Sequence, residues 1–294
     1  VKSLQEYAAL VEERLPGYIL AKCDASSTLA RAMLYSLMAG GKRLRPAMLL
    51  AAVDMLGGNS GEAMVYACAV EMIHTYSLIH DDLPGMDNDV LRRGIPTNHV
   101  KFGEGQAILA GDGLLSLAAE LMLEDALTHP GSMDRRVAAA WEIIRGAGAF
   151  GMVAGQSLDL ACEREHVGGS KELDLIFLGK TCRMFIHPLR AAARLAVAEE
   201  WAVDALDRYG LAFGRMFQAT DDMLDIEGNA SILGKSVGKD EKGGKLTAIG
   251  VYGLEGARAL VDEEMAKALE ALEPFGPEAD FFRELVRSMR GRDR

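Results

Sequence analysis

Met72-Ile73-His74-Thr75-Tyr76-Ser77-Leu78-Ile79-His80-Asp81-Asp82-Leu83-Pro84-Gly85-Met86-Asp87 reads as an apolar helix that runs out into carboxylates. Pro84-Gly85 marks its opening into a loop. Asp81, Asp82 and Asp87 therefore collect at one helix end, with Asp89, Arg92 and Arg93 just beyond. Clustered carboxylates repel one another unless they are solvated, protonated or bound to a cation. A single acidic pair is most often a solvated face, but oxygen ligands beside arginines also suit Mg²⁺ held between a protein and a phosphate. On the helix, His74, Ser77 and Asp81 recur on one side. Tyr76 and Ser77 lie about 6–8 Å deeper than Asp81 by helical rise, where they would meet the tail of a ligand descending from the acids.

A second cluster, Phe217-Gln218-Ala219-Thr220-Asp221-Asp222-Met223-Leu224-Asp225, shifts the balance toward a metal. In a helix, Gln218, Asp221, Asp222 and Asp225 fall three and four apart and can face one cavity. Like charges at that spacing destabilise an isolated helix, so their presence in an apolar segment asks for a counter-ion. A basic string, Gly40-Gly41-Lys42-Arg43-Leu44-Arg45-Pro46, precedes a new helix in which Pro46 suits the first turn. The free N–H groups there favour anions, and Lys42 with Arg45 makes a phosphate pocket, the alternative being a solvated basic loop.

Composition narrows the classes. The 294 residues are 49% hydrophobic with 8 prolines and a net charge of −11. Helical periods dominate, no fixed-period repeat or linker stands out, and a single domain over 1–294 is expected. The acidity opposes nucleic acid as a partner. The 4 cysteines form no CxxC pair, which points to free thiols in a reducing compartment. Val1–Leu20 lacks a secretory pattern and no uncharged apolar run reaches 18 residues, so a cytoplasmic protein without a membrane span is expected. Gln106–Leu127 reads as a scaffold helix or subunit interface with a buried Asp112, and 162–170 as a polar loop. Gln156 and Asp159 can extend a polar edge or simply mark a tight crossing of small residues. Lys180-Thr181 sits in an apolar segment, and Glu227–Lys245 reads as a lysine-rich flap.

In this order and at these separations the segments resemble the short-chain trans-prenyltransferases, the bacterial farnesyl diphosphate synthase group, over nearly the whole chain. The marks are the Gly40–Pro46 string, the acids Asp81–Asp87 continuing into Leu91-Arg92-Arg93-Gly94-Ile95-Pro96-Thr97-Asn98-His99, Lys180-Thr181, Phe217-Gln218, Asp221–Asp225 and the lysine loop ending at Thr247. Cys182 and Arg183 depart from the glycine usual after Lys-Thr and add a cation, and Thr247-Ala248-Ile249 replaces a common Thr-Tyr-Pro.

The resemblance implies an all-α bundle of the isoprenoid synthase type around a deep central cavity, usually a homodimer, that joins isopentenyl diphosphate to dimethylallyl or geranyl diphosphate with about three Mg²⁺ ions per site. By the same resemblance, Asp81, Asp82 and Asp87 with Asp221, Asp222 and Asp225 would hold the metal. Lys42, Arg45, His74 and Arg93 would bind isopentenyl diphosphate. Arg92, Lys180 and Lys235 would grip the allylic diphosphate, with Lys245 a further substrate-binding residue. Thr181, Gln218 and the Phe217 ring would face the allylic cation, and released diphosphate would take the proton. Tyr76, backed by Ser77, should stop the chain at fifteen carbons because overfilling a packed pocket is costly. The alternatives are a twenty-carbon geranylgeranyl product, a non-catalytic regulatory subunit, which should lack part of an acid cluster, and a terpene cyclase, which needs no second diphosphate pocket.

Overall fold

The computed structural model describes residues 2–227 and 244–289. Lys235, Lys239 and Lys242 of the lysine loop and the basic tail from Arg290 lie outside the described residues. Cα packing divides the chain into two compact units, an N-terminal one of residues 2–141 with 194–197 and a C-terminal one of residues 142–193 and those from 198 onward.

The N-terminal unit is built on α1 (Leu4–Leu20), α2 (Thr28–Leu37), α3 (Leu44–Met55), α4 (Met64–Asp81), α5 (Asn98–Phe102), α6 (Glu104–Thr128) and the first part of α7 (Met133–Ala147). Ser3 and Glu6 close a reciprocal capping box at the start of α1, and Tyr7, Val11, Leu15 and Ile19 bury its inner stripe. Ser27 caps α2 by accepting from the Ala30 amide. α4 is the core of the unit. It is apolar nearly all round and buried from Val65 to Ile73, as a helix enclosed by neighbours must be, and α1, α2, α3 and α6 all pack on it. The His80 ring lies against Gly111 of α6, where a Cβ would stand 2.2 Å from its Nε2. That contact corrects the reading of Asp112. Gly111 and Gly113 face α4 and α2, and Asp112 between them turns outward, its side chain 59% exposed.

Among the described residues the only β structure is an antiparallel pair, β1 (Leu91–Arg92) and β2 (Ile95–Pro96), with Arg92 opposite Ile95. Arg93 and Gly94 form its two-residue turn with φ of 53° and 77°, the primed geometry that matches strand twist.

The C-terminal unit contains α8 (Met152–Glu165), α9 (Ser170–Ile176), a π-helical turn Phe177–Cys182, α10 (Arg183–Ala196, to Ala193), α11 (Glu200–Glu227), α12 (Ala248–Ala271) and α13 (Asp280–Met289). α8 continues as helix through the first four residues of the expected loop at 162–170, to its left-handed cap at His166. α11 and α12 run along each other. Tyr209, Phe213 and Phe217 form one stripe of α11, and Phe185 packs on the last two with centroids 5.1 and 5.4 Å away. α6 and the segment Pro130–Glu165 are long and apolar enough to cross a membrane by length and composition, with 44% of each window buried; core helices share that property.

Candidate active site

In the N-terminal unit, α4 delivers the first acids. It ends at Asp81, and the loop folds back on it through Asp87 N–H to Asp81 O at 2.8 Å and Asp89 N–H to Asp82 O at 3.2 Å. The acidic residues are thereby drawn into one turn. Asp82 is buried, at 3% exposure, and Arg92 grips it, Nε donating at 2.8 and 3.0 Å and Nη2 lying at 2.7 Å. Burial pushes the Asp82 carboxyl above its ordinary value and Arg92 opposes that shift. Two residues assigned to different partners thus hold each other.

The same hairpin aims Arg93 at the basic string. Arg93 Nη1 donates to the Gly40 carbonyl, and the guanidinium lies where a Cβ on Gly41 would be, 2.6 Å from its carbon. Gly41 also has φ +122°, so a side chain there would be strained as well as obstructed. Burial, and after it the positive charges of Arg45 and Arg93, hold the His74 imidazole well below its ordinary pKa. His74 is therefore held toward its neutral form. Lys42 is exposed. Arg43 points the other way, into the core, with its side chain fully buried.

Below the acids, Tyr76 is 7% exposed and sets its ring edge-to-face on His80, centroids 5.6 Å apart. Ser77 is half-buried and its hydroxyl donates back to His74 O at 2.8 Å.

In the C-terminal unit, Thr181 Oγ1 donates to Gln218 Oε1 at 2.6 Å, and Gln218 Nε2 to Asp222 Oδ1 at 3.0 Å. Asp222 Oδ2 accepts from the Ala248 amide at 2.7 Å, the first residue of α12. Asp222 and Asp225 are buried and Asp221 is half-buried. One relay therefore joins the Lys-Thr turn, the Gln and the acid cluster, of which helical spacing predicts only the Gln218–Asp222 step, and it gives Asp222 a structural task in anchoring α12. Phe217 caps the aromatic stripe above this relay. Lys245 is half-buried just before α12.

Lys180 Nζ is paired with Asp159 Oδ2 at 2.6 Å. The tight-crossing reading of the glycine-rich stretch holds, because α8 crosses the π turn so closely that a Cβ on Gly155 would lie 2.1 Å from the Lys180 amide nitrogen. π turns interrupt helices at functional sites more often than elsewhere, and here the turn carries Lys180 and Thr181. Arg183, the extra cation, stacks over the exposed Phe150 ring at 4.3 Å.

Among the described residues no three His, Cys, Asp or Glu side chains converge to cage a metal by themselves. The donor set still fits Mg²⁺, which keeps waters and takes one or two carboxylates together with substrate phosphates.

The polyprenyl synthetase family model matches residues 26–277. A farnesyl diphosphate synthase of Geobacillus stearothermophilus is 44% identical over 91% of this chain and 88% of its own length. Geranylgeranyl pyrophosphate synthase 9 of Arabidopsis thaliana, a chloroplastic protein, is 46% identical over 85% of this chain and 70% of its own. The crystal structure of an FPP/GFPP synthase from Zymomonas mobilis superposes with a TM-score of 0.86 at 32% identity, covering 97% of this chain and 96% of that one. By the family model, the relatives and the shared helical architecture, the chain belongs to the polyprenyl synthetase family, enzymes that transfer prenyl groups.

Proposed function

We propose that this enzyme condenses isopentenyl diphosphate with dimethylallyl and then geranyl diphosphate and releases farnesyl diphosphate. The observation that carries the reading is the hairpin turn of the N-terminal unit. Its adjacent arginines reach an acid cluster on one side, Arg92 to Asp82, and the basic string on the other, Arg93 to Gly40. Such an arrangement serves two diphosphates held next to each other, which a one-substrate cyclase would not need. The intact acid clusters likewise disfavour a non-catalytic subunit.

Lys42, Arg45 and Arg93 bind the isopentenyl diphosphate, with neutral His74 as hydrogen-bonding partner. Asp81 and Asp87, and Asp221 and Asp225 in the C-terminal unit, hold Mg²⁺, and Asp82 and Asp222 brace them. Mg²⁺ when bound neutralises the departing allylic diphosphate. Arg92, Lys180, Lys235 and Lys245 hold that diphosphate as its C–O bond breaks. Thr181 donates its hydroxyl hydrogen bond to Gln218 Oε1, which leaves its oxygen lone pairs to act as an acceptor toward the allylic cation, and the Phe217 ring adds a π face. The double bond of isopentenyl diphosphate attacks, and released diphosphate takes the proton.

Tyr76 beneath the acids supports the fifteen-carbon product. The twenty-carbon reading stays open because geranylgeranyl synthases are as similar to the chain as farnesyl synthases. Incubation with labelled isopentenyl diphosphate and each primer, with and without Mg²⁺, should give a Mg²⁺-dependent fifteen-carbon diphosphate. A mainly twenty-carbon product would select the alternative, and no labelled product with either primer would sink the reading.

The family match runs across both compact units, which supports one catalytic domain. Ile108, Leu109, Leu123 and Leu127 leave 44–70% of their area exposed on α6, a face suited to a second copy. Light scattering should return about twice the chain mass; the monomer mass would refute a homodimer. With Cys23, Cys68, Cys162 and Cys182 all free, a cytoplasmic location is proposed.

A further inference from the structure

We infer that Arg43, buried together with Glu71, is the positioning residue of the isopentenyl diphosphate pocket. Of the three cations in the basic string it is the one that cannot touch substrate, since its side chain has no exposed area. Nη1 donates to Glu71 Oε1 at 2.7 Å, Nη2 to the Leu37 carbonyl at 2.7 Å, and Nε to Glu12 Oε1 at 3.2 Å. These three acceptors belong to α4, to the last residue of α2 and to α1. A single guanidinium therefore fixes the start of α3 against α1, α2 and α4, and it satisfies a carbonyl that the end of α2 leaves open.

The backbone at Arg43 carries a cost that the side-chain contacts offset. Arg43 is left-handed, with φ 47° and ψ 38°, at the N-cap of α3, a conformation rare for a residue with a side chain. That twist turns Arg43 inward between Lys42 and Arg45. Glu71 sits three residues before His74 on α4, about one helical turn below it. The pair thus ties Lys42 and Arg45 on one segment to His74 on another. On the far side of the loop, Arg93 holds the Gly40 carbonyl. With the loop fixed at both ends, its cations are set before the diphosphate arrives, which lowers the ordering cost of binding.

A lysine can keep one bond of the Arg43 fork but not three separately placed ones, and a glutamine at 71 keeps shape and loses charge. Arg43→Lys and Glu71→Gln should each raise KM for isopentenyl diphosphate by about 10- to 100-fold, through displacement of otherwise intact pocket residues. KM for geranyl diphosphate and kcat at saturation should stay near those of the native enzyme. The inference rests on the proposed assignment of the pocket, so Arg45→Ala is measured alongside. If Arg45→Ala leaves KM for isopentenyl diphosphate unchanged, the pocket assignment is wrong. If Arg45→Ala raises it while both pair variants do not, the positioning role is wrong. Equal increases for both substrates, or loss of the helical circular dichroism signal in both pair variants, would also overturn that role and leave the pair a purely structural one.

Discussion

Asp81→Asn and Asp221→Asn should each lower kcat by about 10²–10³-fold, the scale on which removing one group that stabilises transition-state charge is felt. The substitution keeps the shape of the side chain and removes its charge. At Asp81 the turn that gathers the acids survives, because Asp87 N–H bonds the Asp81 main-chain carbonyl and not its carboxylate. At Asp221 the anchoring of α12 survives, because that task falls to Asp222. Both variants should therefore retain the native helical circular dichroism signal while turnover falls, and both should need more Mg²⁺ to reach their reduced maximum. Asp222→Asn should behave differently. Its two oxygens accept from two donors, Gln218 Nε2 and the Ala248 amide, and an amide can satisfy only one of them. A buried donor left facing a donor costs about 1–3 kcal/mol, so this variant should melt lower. Wild-type turnover in Asp81→Asn and Asp221→Asn would remove both acids from the chemistry.

Helix identity and the sharing of faces were legible because they are local. The three- and four-residue spacings put Gln218, Thr181's partner, on the face of Asp222, and the structure closes that relay. Pro84-Gly85 marked the end of α4 for the same reason. What was not legible depends on partners far along the chain. Nothing within Lys42-Arg43-Leu44-Arg45 says which cation turns inward, since Glu71, 28 residues away, decides it. The π turn at Phe177–Cys182 accommodates a crossing with α8, so its cause lies at Gly155. Asp159 was visible only as part of a polar edge, and its pairing with Lys180 spans 21 residues. The hairpin was missed because two-residue strands carry no periodicity. Its one trace was Arg93-Gly94, a positive-φ turn with an arginine where asparagine or aspartate is usual. The glycines around Asp112 signal close helix contact, which the structure shows, but they do not say that the residue between them turns away from both neighbours.

Tyr76→Ala should change the main product from fifteen carbons to twenty or more. The tyrosine stands five residues before Asp81 on a continuous helix, about 7–8 Å deeper by helical rise. It is well placed to stop a chain hanging from a diphosphate held at the acids. Its ring is not a loose flap. It packs edge-to-face on His80, and His80 is wedged against α6 at Gly111 with Nε2 3.0 Å from the Ile108 carbonyl. A growing prenyl chain pressing on Tyr76 therefore presses on two packed helices, and overpacking of that kind costs about 1–3 kcal/mol or more. Removing the ring opens space and also removes buried contacts. The variant should lose about 3–5 kcal/mol of stability and must be assayed below its lowered melting temperature. Tyr76→Phe separates bulk from the hydroxyl, since it keeps the ring on His80 and should still make the fifteen-carbon product. Product chromatography decides the matter. If Tyr76→Ala remains folded and still ends its chains at fifteen carbons, the stop lies elsewhere and Tyr76 is only a core residue of α4.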